Sequence, residues 1–117
     1  MWDADQIDAL TETVVQRLLV EGGTARSLAV EFAEQLAVAQ PALPALAIAL
    51  PFSLAASGIE EMLGAGQQAR DAAQDAWRVA ALIGGDCLVL QNGSGKPVTV
   101  REIRAHWALG DTVFNPD

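Results

Sequence analysis

Tyrosine is absent from this 117-residue sequence, cysteine and histidine occur once each, and lysine appears only at position 96. The lone Cys87 excludes an internal disulfide framework, so a reducing compartment and a cytoplasmic location are expected. One thiol and one histidine leave Cys87 and His106 as the only nucleophilic pair available, and nothing in the pattern brings them together. Cys87 falls on an apolar helix face, where a thiol behaves as a small hydrophobe. His106 stands one turn after Glu102 and reads as half of an exposed helix pair. With a single histidine, the Glu-x-x-His sets of a di-iron bundle cannot be completed, and no metal is expected.

Basic residues are also few. Seven Arg and Lys stand against fifteen Asp and Glu, a net charge of -8, and nucleic-acid binding needs the opposite balance. No nucleic-acid partner is expected. The acidity is uneven: residues 1 to 61 hold nine carboxylates against Arg17 and Arg26, whereas residues 62 to 117 hold six against five basic side chains. That split fits solvated helix faces first, and head-to-tail contact or a basic partner second. The opening M-W-D-A-D-Q is acidic where a secretory signal is basic, so no cleaved export signal is expected.

What is present points to a folded helical protein. Hydrophobic residues make up 51% and charged residues 19%, far from the profile of disorder, and the length suits a single domain over 1–117. Alanine, the best helix former, occurs 22 times. Together with arginine at six of the seven basic positions, this bias suggests a GC-rich bacterial genome.

A first helix is expected from Asp3 or Asp5 to Glu21, with Ile7, Leu10, Val14 and Leu18 on one face and Gly22 and Gly23 ending it. Thr24 is the expected N-cap of a second, with Leu28, Phe32 and Leu36 inward, stopping before Pro41. Ser57 to Glu60 fits a capping box that opens a new helix near Gly58, followed by a kink at Gly64 and Gly66. The main fourth helix is expected from Gln67 to Gln91. Its seam of Ala69, Ala73, Ala76, Ala80, Ile83, Cys87 and Leu90 alternates spacings of four and three, and so many alanines admit a close partner helix from the same chain or a second copy. Trp77, Ala81, Gly84 and Leu88 add a second apolar strip, also assigned to the core, with Asp75 and Arg78 paired on the wet side. Thr99 and Glu102 form another capping box, opening a helix from Val100 to Leu109 with Val100, Ile103 and Trp107 inward. Gly110 stops it, and Val113 and Phe114 fold back as an apolar clasp.

From Gln35 to Ile59, 25 consecutive residues carry no charge. A membrane span needs about 20 apolar residues, so the length suffices. Pro41, Pro44 and Pro51 and the absence of flanking Lys or Arg favour a short buried helix instead. Two short motifs fail closer inspection. G-S-G-K at Gly93 to Lys96 lacks the earlier glycine of a phosphate loop, and Pro97 stands where a magnesium-binding hydroxyl belongs. T-V-R-E-I at Thr99 to Ile103 opens like a helix-turn-helix, but too few residues follow Gly110 for a recognition helix.

The expected fold is all-α, an irregular bundle of four main helices plus a short apolar helix bounded by prolines. The expected function is a non-enzymatic protein-interaction module, a small subunit, adaptor or regulator, without cofactor. It self-associates, a homodimer being favoured, or docks a partner protein. The residues expected to make contact are Trp2, the seam alanines Ala69, Ala73, Ala76 and Ala80, and Arg101 and Arg104. A membrane-associated protein using residues 35–59 is the second reading, and a binder of a small apolar ligand the third.

Overall fold

Helix starts follow from short polar side chains that satisfy the first free backbone donors. Asp3 accepts from the Gln6 N–H at 2.9 Å to open α1, Ala4–Leu19, and Thr24 accepts from the Ser27 N–H at 3.2 Å to open α2, Ala25–Ala39. Thr99 and Glu102 form the expected capping box at the head of α5, Val100–Ala108. Gly22 (φ 71°) and Gly110 (φ 85°) take the left-handed conformation where the chain leaves α1 and α5. The computed structural model describes residues 2–62, 66–110 and 112–114. Among them are five helices packed on one another and no strand, an all-α architecture as expected.

The apolar segment departs from expectation in length. It forms α3, Leu46–Glu60, a 15-residue helix that runs through Pro51. An interior proline costs about 3 kcal/mol. Burial of Ile48, Phe52, Ala55, Ala56 and Ile59 along one face on both sides of the proline outweighs it. Ser57 to Glu60 therefore close α3 and do not open a helix. The entry to α3 is pinned where the Ala45 N–H donates to the Val98 carbonyl and the Val100 N–H to the Leu43 carbonyl, both at 2.8 Å. Helix α4, Gly66–Ser94, is longer than expected at 29 residues. The kink assigned to Gly64 lies outside the described residues.

α3 and α4 make the most extensive pairing, α1 packs on α3, and α5 packs on α2. Ala69, Ala73 and Ala76 are buried and Ala80 partly so. The alanine seam thus closes inside the chain, and its small side chains let the two longest apolar faces approach. Phe32 and Phe52 meet in the core with ring centroids 5.6 Å apart. Arg17 grips Glu31 with two hydrogen bonds of 2.8 and 3.3 Å, joining α1 to α2 at the surface.

Three expected placements are corrected. Trp77, Ala81 and Leu88 are exposed. The buried face of α4 instead runs through Ala72, Val79, Ile83 and Asp86, so the strip assigned to the core is the outer surface. Asp75 does not pair with Arg78 but accepts from the Ala25 N–H at 2.8 Å and caps α2 from a distant helix. His106 is not an exposed partner of Glu102: its Nε2 lies 3.5 Å from the Asp86 carboxylate, and Glu102 bonds to Thr99.

Candidate functional site

Helical spacing places Leu46, Leu50 and Leu54 on the flank of α3 opposite its buried face, and Trp77, Leu88 and Val89 on the outer side of α4. These six side chains are between 37% and 70% exposed, which marks them as surface and not as core edge. The Trp77 indole donates from Nε1 to Glu60 Oε1 at 2.7 Å, bridging the outer rim of the α3–α4 seam. The two strips therefore border one face.

The face is also bare of charge. No Asp, Glu, Lys or Arg occurs between Glu34 and Glu60, and Asp86 is the only one between Arg78 and Lys96. Asp86 is fully buried, so it adds nothing to this surface. A chain of net charge -8 thus presents one long stretch without charge, made by the pair of helices that also form its core.

On the inner side of α4, Asp86 gathers the segment after α5. Oδ1 accepts from the Val113 N–H at 2.8 Å, and Oδ2 accepts from the Trp107 indole at 3.0 Å and the Phe114 N–H at 2.9 Å. Phe114 is buried and stacks on Trp107 with centroids 4.3 Å apart, the apolar clasp expected there; Val113 stays half exposed. His106 Nε2 is buried without a hydrogen bond. Burial, reinforced by the neighbouring Asp86 charge, pushes the Cys87 thiol up to about 11. Cys87 is a packed side chain in this setting and not an activated nucleophile.

Of the residues singled out in the sequence, Trp2 is half-buried and packs against the core. Ala69, Ala73 and Ala76 are consumed between α3 and α4. Arg101 and Arg104 are exposed on α5 and do not join the face of α3 and α4. Arg104 borders a cavity of about 210 Å³ between α2 and α5, together with Glu34, Val30 and Trp107. Arg101 lies beside Pro41 and Thr99 at a shallower depression. Two features escaped the sequence reading. The outer strip was legible as apolar but not as exposed, because a helix apolar over most of its girth does not announce which side is wet. Asp86 carried a signal, being the only charge in a long uncharged stretch, which marks either an exposed position or a buried group with dedicated donors.

Among the described residues no group of three His, Cys, Asp or Glu is placed to hold a metal ion, and no helix is long and apolar enough to cross a membrane. Comparison with protein-family models, curated proteins and solved structures gives no match to this chain.

Proposed function

We propose that this chain is a non-enzymatic helical interaction module that docks another protein through the uncharged outer face of α3 and α4. The carrying observation is the exposure of Leu46, Leu50, Leu54, Trp77, Leu88 and Val89 on a surface without charge. Contiguous apolar surface of this kind is uncommon on a solitary soluble domain and typical of a contact site. An aromatic side chain at the rim is the usual anchor of such a site, and Trp77, held by Glu60, is positioned as one. A lipid surface fits less well, because no Lys or Arg lies within α3 and the net charge of -8 opposes anionic headgroups.

The test is a photoreactive side chain placed at Leu88, compared with one at the exposed Asp8 on α1, in cells producing the full chain. Protein adducts from position 88 and not from position 8 are the expected result. If position 88 captures no more protein than position 8, the reading falls.

A further inference from the structure

Gly84 lies midway along the outer strip of α4, between Trp77 and Leu88. Glycine inside a helix weakens it relative to alanine, so its presence calls for a reason. The chain's own packing supplies none, since a β-carbon at Gly84 would meet nothing within 4 Å. The adjacent Gly85 differs: a β-carbon there would stand 3.1 Å from Val113 Cγ1, so its bareness is explained from within. What Gly84 leaves room for is the close approach of a helix from outside the chain.

Charge decides whose helix that is. With a net charge of -8, two copies repel over most of their surface and meet without opposing like charges where the surface carries none. A two-fold axis at Gly84 with the α4 helices antiparallel sets each position after Gly84 against the position equally far before it in the other copy. Lys96 follows Gly84 by twelve residues, and Asp71 precedes it by thirteen. Both are exposed, so the arrangement brings opposite charges together at both ends of the crossing.

We propose that the face of α3 and α4 is occupied by a second copy of this chain, in a two-fold dimer whose α4 helices cross antiparallel at Gly84. Leu88 of each copy covers the Ala81 region of the other, and Lys96 of each lies near Asp71 of the other. The proposal rests on the docking reading above and adds the identity of the occupant.

The test is sedimentation equilibrium of the full chain in detergent-free buffer, with twice the monomer mass of 12.3 kDa expected. Gly84→Leu is expected to give a monomer of unchanged helicity. Gly84→Ala is expected to raise thermal stability of the monomer while weakening the dimer, a combination that no folding defect produces. Lys96→Glu is expected to weaken the dimer by roughly tenfold, as two opposite-charge contacts become repulsive, and adding Asp71→Lys to restore it. A monomer at every concentration overturns the proposal, as does a dimer indifferent to both Gly84→Leu and Lys96→Glu. A monomer combined with capture of a different protein from position 88 removes the second copy and leaves the docking face standing. Partition of a monomer onto phosphatidylcholine vesicles also overturns the dimer, in favour of a lipid occupant.

Discussion

Asp86, in the middle of α4, accepts a hydrogen bond from the Trp107 indole of α5 at 3.0 Å in a fully buried setting. The same carboxylate takes the backbone N–H groups of Val113 and Phe114, so one side chain ties α5 and the segment after it to the longest helix. Three donors for one buried carboxylate are what such a group requires, since an ionised side chain is costly to bury without partners.

Replacing Asp86 with alanine strands those three donors. At about 1–3 kcal/mol for each buried polar group left unpaired, a loss of roughly 3 kcal/mol or more in unfolding free energy is expected. Hydrogen exchange at Val113 and Phe114 should accelerate selectively. Chemical denaturation showing a loss below about 1 kcal/mol would mean that the apolar stack of Phe114 on Trp107 holds the segment by itself.

Ala76 and Ala81 separate the two faces of α4. Ala76→Leu enlarges a fully buried position of the α3–α4 seam and should cost about 1–3 kcal/mol through overpacking. Ala81→Leu adds the same atoms on the exposed side and should change monomer stability by no more than about 0.5 kcal/mol. Equal effects in thermal unfolding would put the helix register in error.

Cys87 should resist thiol reagents in the folded state. With its thiol pushed up to about 11, it is almost entirely protonated at pH 8, and burial adds a steric block. Iodoacetamide labelling should therefore be slow in native buffer and fast in denaturant. The raised value also sets a sign: the folded state keeps a proton that the unfolded state releases, so this group's contribution is complete below the ordinary thiol value near 9 and is lost as pH rises towards 11. Cys87→Ala should remove that alkaline component. Rapid native labelling at pH 8 would contradict the packed placement.

Glu31 titrates below its ordinary value because it accepts hydrogen bonds from Arg17, with attraction to that guanidinium adding to the effect. A depressed carboxyl stabilises the fold above its unfolded value and loses that contribution as pH falls through its folded value. The pair is open to solvent, so the effect is small. Glu31→Gln should flatten the acid limb of the stability profile without changing the plateau at neutral pH. An unchanged acid limb would show that the pair contributes nothing there.

Loss of the cap from Asp75 should be felt in a helix fifty residues away in sequence. Asp75→Ala leaves the Ala25 N–H at the head of α2 without its acceptor and should cost about 1 kcal/mol, with exchange speeding up in the first turn of α2. Protection unchanged there would place the cap elsewhere.

The sequence by itself determined the class of this fold and most helix ends, because those are local matters. Thr24, the Thr99–Glu102 box and Gly110 act within a few residues of where they stand, and the spacing of Leu28, Phe32 and Leu36 needs no knowledge of what packs against it. Tertiary structure decided everything that compares one contact with another. It carried α3 through Pro51, since the burial of Ile48, Phe52 and Ile59 against other helices is invisible to local propensity. It turned the Trp77 strip of α4 outward, because α3 had room for only one of two apolar faces, and took the one with the smaller side chains. It drew Asp75 to α2 and Asp86 to Val113 and Phe114, pairings across 50, 27 and 28 residues that no helical period encodes. The surface proposed for docking is therefore the apolar face left over once the alanine seam had closed.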